Sequence, residues 1–149
     1  MRVSRRDGEI VLEFAEGEAG VLRSLVDQYL EVVGADPGDD PAHARLFPAA
    51  YRHDPAASDE FATYTRAGLI DRKAANAAQL SLALDEEVVR LRPEQAERWL
   101  PVLTDLRLVI ADRLGILTDE DETPDTPAGE VYVWLGYLQE SIITLLEDE

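Results

Sequence analysis

The stretch that decides the fold runs from Pro93 to Gly115 and reads PEQAERWLPVLTDLRLVIADRLG. Pro93 suits the first position of a helix, and Gly115 suits a left-handed stop after its last turn. Apolar residues recur between them at helical spacing: Trp99, Leu100, Val102, Leu103, Leu106, Leu108, Val109, Ile110 and Leu114. A helix that is apolar over so much of its girth is expected in the middle of a domain. The sequence therefore predicts a central helix at about 93–114.

The length and composition fit one folded domain that spans 1–149. A chain of 149 residues can bury about two thirds of its unfolded surface, and 46% of its residues are apolar. It contains no cysteine, which excludes disulfides and thiolate metal sites. The first residues lack the apolar core of a signal peptide, and no apolar run approaches the ~20 residues that span a bilayer. These features predict a cytoplasmic protein without a membrane partner.

The negative charge is the strongest feature of the composition. The net charge is −17, and the residues after Arg113 include ten acids but no lysine or arginine. The first 113 residues carry 14 bases against 21 acids, so they too are negative on average. Non-specific binding to nucleic acid depends on Lys and Arg that neutralise phosphates. No nucleic-acid partner is therefore expected.

A small antiparallel sheet is predicted near the start of the chain. The Asp7-Gly8 pair favours a type I′ hairpin turn between strands at 2–6 and 9–14. On the second strand Ile10, Leu12 and Phe14 alternate with Val11 and Glu13, which gives one apolar face. A third strand is expected at 87–91, where the sequence is short and rich in β-branched residues.

Helical spacing of apolar residues accounts for most of the remaining chain. It predicts helices at about 16–33, from Asp54-Pro55 to about 84, and at about 128–146, with a short helix or turns at 43–51. Residues 118–127 contain no apolar side chain apart from proline and are expected to form an acidic exposed loop. The fold class is therefore α+β: a mainly helical bundle of four to five helices around the central helix, with a small antiparallel sheet.

No motif for catalysis or for a cofactor is present in the sequence. There is no glycine-rich phosphate loop, and the serines lack the Gly-x-Ser-x-Gly context of a nucleophile elbow. His43 and His53 match no metal-ligand spacing and are interpreted as surface histidines near a turn. We therefore expect no catalytic residue, no metal and no cofactor.

A polar centre within the bundle is the strongest candidate for a specific site. Asp105 lies between Leu103 and Leu106 on the central helix, so it is expected to be partly buried. Its expected partner is an arginine, with Arg72, Arg113 or another distant basic group as the possibilities. A structural ion pair is the preferred interpretation, and a polar centre in a ligand or partner groove is the alternative. The candidate members are Asp105, Arg107, Arg113, Arg72, Lys73 and Asn76. The last three matter only if they converge on Asp105.

The last helix supplies a candidate interface. Trp134 and Tyr137 lie among many apolar residues on that helix, more than one face needs for docking on the bundle. Exposed aromatic residues are enriched at protein interfaces, so a protein partner or a homodimer is expected. The acidic loop and tail oppose a homodimer because they would repel their copies.

The chain resembles one protein family over nearly its whole length. The resemblance rests on these segments: Arg45–Tyr51, Asp54-Pro55, Glu60-Phe61, Lys73 with Asn76, Asp105–Leu108, Arg113–Ile116 and Trp134–Glu140. They are similar to an actinobacterial family of unknown function that is often encoded beside the Clp protease adaptor ClpS. The resemblance implies no activity, cofactor or catalytic residue, but its gene neighbourhood suggests a link to regulated proteolysis.

Three classes of function are left open by the sequence. The leading hypothesis is a non-enzymatic protein-interaction or regulatory module. The alternative is a DNA-binding transcriptional regulator that uses the hairpin as a wing, with Arg2, Arg5 and Arg6 on phosphates. An unrecognised hydrolase is the third. A contiguous basic face would favour the DNA-binding hypothesis over the first.

Overall fold

A computed structural model describes residues 1–48 and 59–148, with the side chains of residues 59–64 left out. The elements in chain order are β1 (Arg2–Arg6), β2 (Glu9–Glu13), α1 (Glu18–Val33), α2 (Pro41–Leu46), α3 (Asp59–Ala83), β3 (Val89–Leu91), α4 (Pro93–Leu114) and α5 (Pro127–Glu147). Within these ranges the fold comprises five helices and one three-stranded antiparallel sheet. The predicted α+β class with a mainly helical bundle is confirmed.

Helix α4 is the central element, as the sequence predicts. Its first residue is Pro93, and the Oε1 atom of Gln95 accepts a hydrogen bond from the backbone N–H of Arg92 at 2.9 Å. Gly115 ends the helix with a φ of 76°, a conformation that favours glycine. The buried residues of α4 lie on several sides of the helix: Ala96, Trp99, Val102, Leu103, Asp105, Leu106, Val109, Ile110 and Ala111. The other four helices and the sheet pack around it.

The sheet has the strand order β1-β2-β3 with antiparallel pairing throughout. Asp7 and Gly8 both have positive φ, as a type I′ turn requires. Strand β2 lies in the centre, where Ile10 pairs with Leu91 of β3. Val11 is fully buried as well, so β2 is covered on both sides and the prediction of a single apolar face was incomplete.

Most helix boundaries lie within a few residues of the expected ones. Helix α1 begins at Glu18 rather than 16 because Gly17 adopts a positive φ of 86°. Helix α2 begins at Pro41, earlier than expected, because Asp40 accepts a hydrogen bond from the backbone N–H of Ala42 at 2.9 Å. The expected start of the middle helix at Asp54-Pro55 lies outside the described residues. From Asp59 to Ala83, α3 is continuous.

The acidic loop between α4 and α5 is exposed for most of its length, as expected. It also has local order, because the Oδ2 atom of Asp121 accepts hydrogen bonds from the backbone N–H groups of Leu117 and Thr118. These two bonds lower the pKa of the Asp121 carboxyl. The loop ends at Thr126, whose Oγ1 accepts a hydrogen bond from the N–H of Gly129 and caps α5. Among the helices described here, none is long and apolar enough to cross a membrane.

Truncation of the apolar residues of α4 tests its central position. Trp99 and Leu106 are both buried, so replacing either by Ala is expected to lower the free energy of unfolding by about 2–5 kcal/mol. Leu82 is 67% exposed and supplies the control, because Leu82→Ala removes a similar volume from the surface. Urea denaturation measures all three. A cost below about 1 kcal/mol for the α4 variants would contradict a central role for this helix.

Candidate functional site

A buried polar centre lies where α1, α3 and α4 meet. The side chain of Asp105 on α4 is its common member, and this residue is only 7% exposed. The Oη atom of Tyr29 on α1 donates a hydrogen bond to the Oδ2 atom of Asp105 at 2.6 Å. The Nζ atom of Lys73 on α3 donates to the same oxygen, also at 2.6 Å. One carboxylate oxygen thus connects three helices.

The protonation of this centre follows from its surroundings. Burial and the neighbouring Asp105 carboxylate raise the pKa of Tyr29 far above its usual value. The phenol therefore stays protonated, and its O–H donates a hydrogen bond to Asp105. The Lys73 ammonium lies over the ring of Phe47, 5.7 Å from its centroid, and so has a second favourable contact. Each of the three polar groups has a partner inside the fold. This is the geometry of a structural ionic contact.

The identity of the cation corrects the expectation of an arginine. The cation that pairs with Asp105 is Lys73 of α3, whose Nζ lies 2.6 Å from Oδ2. Arg72, its neighbour along α3, is exposed, and Asn76 is half-buried. In the described part of the chain, neither residue forms a hydrogen bond to Asp105. Tyr29 was not among the candidate members of the polar centre, and only its hydroxyl could have indicated a polar partner.

Arg113 lies at a second ionic contact, at the end of α4. Its guanidinium makes two parallel hydrogen bonds to Asp40, Nη1 to Oδ1 at 2.8 Å and Nη2 to Oδ2 at 2.7 Å. This arginine holds the pKa of the Asp40 carboxyl at about 2, below its ordinary value. Beside it, Arg45 of α2 donates a hydrogen bond to the carbonyl oxygen of Ile116 at 2.8 Å. The two arginines join α2 to the end of the central helix.

Arg107 occupies a third environment, between α4 and α5. Its Cζ atom lies 4.5 Å from the centroid of the Tyr132 ring. At Gly136 a Cβ atom would lie 3.2 Å from the same Cζ, so the missing side chain lets the guanidinium approach the α5 backbone. Arg107 therefore packs the last helix onto the central one and does not join Asp105. Asp105 and Arg107 are two residues apart on α4, and residues at this spacing do not face each other on a helix.

His43 is buried, and the expectation that it lies on the surface was wrong. It lies in α2, and its ring stacks on Phe47 with a centroid distance of 4.6 Å. Burial is the main cause that lowers the pKa of His43 and favours the neutral ring. His53 lies outside the described residues. Among those that are described, no group of three His, Asp or Glu side chains is arranged to hold a metal ion.

The two candidate interface residues have different surroundings. Trp134 is half-buried and packs on Phe14 at the end of the hairpin, with ring centroids 6.3 Å apart. Tyr137 lies on the outward face of α5 and is 64% exposed. One turn before it, Val133 is 59% exposed. Valine has a weaker helix propensity than alanine, and the exposed side chain of Val133 packs little against the rest of the fold.

Two arginines of the hairpin, Arg2 and Arg5, are also engaged within the chain, whereas Arg6 is exposed. Arg5 extends from β1 to the end of α5, where its Nη1 donates hydrogen bonds to the carbonyl oxygens of Leu145 and Asp148. The last turn of α5 has no basic residue of its own. The Arg5 guanidinium from β1 therefore binds the carbonyl oxygens at this helix end and interacts favourably with the negative end of the helix dipole. Arg2 forms a long, exposed ion pair with Glu13, with a distance of 3.8 Å.

A shallow groove of about 330 Å³ lies between α1, α4 and the start of α5. Its apolar walls are formed by Val21, Leu25, Ile110 and Val131. Asp105 does not line this groove, so the polar centre and the groove are separate features of the described structure. The alternative interpretation of Asp105 as the polar centre of a ligand groove is not supported by this placement.

These features define a class: a small α+β domain whose helices are joined by a buried ionic centre and whose last helix exposes apolar side chains. Comparison of the sequence with protein families shows that the chain belongs to DUF2017, a domain of unknown function that matches residues 1–146. No curated protein and no solved structure matches the chain.

Loss of the Asp105 carboxylate is expected to destabilise the fold more than loss of either partner's hydrogen bond alone. Asp105→Asn leaves Lys73 largely buried without a counter-charge, so the free energy of unfolding should fall by about 3 kcal/mol. Tyr29→Phe removes one hydrogen bond and should cost about 1 kcal/mol. The control is Asp85→Asn, which breaks the exposed pair of Asp85 with Arg23 and should cost under about 1 kcal/mol. Equal urea midpoints for Asp105→Asn and Asp85→Asn would contradict the structural role of the centre.

The Asp40–Arg113 contact should be visible in the pH dependence of stability. The pKa of Asp40 is about 2 in the folded chain and about 3.9 when unfolded, so its contribution is full above about pH 4 and is lost as the pH falls towards 2. Asparagine caps a helix as well as aspartate does, so Asp40→Asn removes mainly the ion pair. The variant should be less stable by about 1 kcal/mol at pH 7, since solvent screens this partly exposed pair.

The measurement is urea denaturation of both proteins between pH 7 and pH 2. The protein concentration is kept low micromolar, because the chain has little net charge near its pI of about 4.3 and associates more readily there. The difference between wild type and Asp40→Asn should shrink through the acid range and vanish near pH 2. A difference that stays constant over this range would show that the ion pair does not contribute.

Proposed function

We propose that this chain is a non-enzymatic protein-interaction module that binds another protein through the outward face of α5. One observation carries the proposal: Val133 and Tyr137 lie one helical turn apart and are 59% and 64% exposed. Side chains at positions i and i+4 form one patch on a helix surface. Tyrosine is enriched in the parts of protein interfaces that contribute most to binding.

The surroundings of the buried ionisable groups support an interaction role over a catalytic one. Asp105, Lys73 and Tyr29 bind one another at the meeting point of three helices. Arg113 and Asp40 likewise hold two elements together. A catalytic group needs access to substrate in a cleft, whereas Asp105 lies outside the groove between α1, α4 and α5.

The hairpin gives less support to the DNA-binding alternative. A wing would direct its arginines at phosphates, but Arg5 donates to the end of α5 and Arg2 lies beside Glu13. The net charge of −17 also opposes the approach of a polyanion. A role in regulated proteolysis is part of the present proposal only through the gene neighbourhood that the family resemblance implies.

The proposed function predicts that specific partners depend on Val133 and Tyr137. The wild type, a Val133→Ala/Tyr137→Ala variant and the control Leu82→Ala are immobilised and incubated with a lysate of the organism that encodes the chain. Quantitative mass spectrometry then measures the retained proteins. A direct partner should be retained by wild type and Leu82→Ala but reduced at least about fivefold on the double variant, as expected for loss of two central contacts.

Circular dichroism and urea denaturation check that the double variant is folded, which its exposed positions favour. An identical set of retained proteins on all three baits would contradict the proposal.

A further inference from the structure

The exposed surface of α5 combines apolar and acidic side chains in a regular order. Glu130, Val133, Tyr137 and Glu140 are all exposed, and their spacing of three, four and three residues keeps them on one side of the helix. We call these four residues the acidic–apolar face. Its two carboxylates are ten residues apart along the helix, or about 15 Å at the rise of an α-helix.

The charged side chains of α5 itself are all acidic. Helix α5 contains no lysine or arginine, and neither does any residue after Arg113. Of the arginines that approach α5 from other elements, Arg107 is half-buried against Tyr132 and Gly136, and Arg5 is bound to backbone carbonyls at the far end. The patch formed by Val133 and Tyr137 therefore lies between two carboxylates, without a described cation on the same face.

A second copy of the chain is poorly suited to cover this face. In an antiparallel two-fold pairing centred on residue 135, Val133 of one copy would face Tyr137 of the other. The same symmetry would place Glu130 opposite Glu140 at both ends of the contact. A parallel two-fold pairing would place each glutamate opposite its own copy. Either arrangement brings like charges together where the apolar contact forms, which opposes association.

We infer that the acidic–apolar face binds a basic helical segment of another protein. The complementary segment presents two apolar residues to Val133 and Tyr137, with an Arg or Lys about 15 Å apart at either end to pair with Glu130 and Glu140. The apolar contact supplies affinity, and the flanking charge pairs fix the orientation and exclude acidic partners. This inference rests on the proposed function and adds the chemistry of the partner.

The test uses a designed peptide as the probe. The peptide is an alanine-based helix with two leucines four residues apart and one arginine three residues outside each leucine. A matched control peptide has the same composition but carries its arginines on the opposite side of the helix. Fluorescence anisotropy measures the binding of both peptides to the full chain at moderate salt. The matched peptide should bind about tenfold more tightly than the control peptide, through its two charge pairs.

Protein variants separate the charged contribution from the apolar one. Glu130→Gln/Glu140→Gln should weaken binding of the matched peptide about tenfold, since the same two exposed charge pairs are lost. Glu86→Gln/Glu87→Gln changes the net charge equally at exposed positions elsewhere and should leave the affinity nearly unchanged. Val133→Ala/Tyr137→Ala should weaken binding of both peptides, whereas Leu82→Ala should not.

Each of the following results would overturn the inference. The two peptides could bind equally, or the two charge-neutralised variants could lose affinity equally, and either result would mean that the attraction is only general. Light scattering could show a dimer that Tyr137→Glu dissociates, which would identify a second copy as the occupant.

The two proposals can also be told apart. If neither peptide binds while the retention of lysate proteins still depends on Val133 and Tyr137, the proposed function stands and the inference of a basic partner is wrong. If that dependence is absent, the proposed function itself is wrong.

Discussion

One oxygen atom of Asp105 accepts hydrogen bonds from two helices, and the arrangement of the bundle depends on it. A carboxylate this deep in a protein is costly unless charge and hydrogen bonds compensate it, so α1 and α3 must present Tyr29 and Lys73 to the same point on α4. An apolar contact would accept several rotations of the helices. The ionic centre accepts one, because two donors at 2.6 Å leave little freedom in angle or register. With that side of α4 fixed, its remaining surface receives α5, and its last turn receives α2 through Arg113 and Arg45.

Much of the fold could be predicted because its signals are local. The apolar spacing of α4, the Asp7-Gly8 turn and the Pro93 and Gly115 boundaries depend on residues close in sequence, so the pattern alone indicates them. The partners of Asp105 could not be found this way. Tyr29 and Lys73 are 76 and 32 residues away, and the choice between Lys73 and an arginine depends on how α3 crosses α4. The sequence places Asp105 in the interior but does not show what it meets there.

The errors have a common physical cause in short elements and long side chains. Helix α2 has only six residues, too few to show repeated apolar spacing, so its start was expected at 43 rather than 41 and His43 was expected on the surface. The DNA-binding alternative assigned Arg5 to a phosphate of the nucleic acid. In the structure this arginine meets the carbonyls of a helix that begins more than a hundred residues later. On α5 the excess of apolar residues over what one buried face can hold indicated Tyr137, which is exposed, but it did not indicate Val133, and Trp134 is half-buried.

The contact between Arg5 and Leu145 also bears on the order in which the chain folds. It joins residues 140 positions apart, and the entropic cost of closing a loop rises with the number of residues inside it. The hairpin, by contrast, closes over two residues and can form early. Helix α5 follows the acidic loop, and its far end is held by a strand from the opposite end of the sequence. The contact of Arg5 with the end of α5 should therefore form late, and until then the last carbonyl groups of α5 are open to solvent.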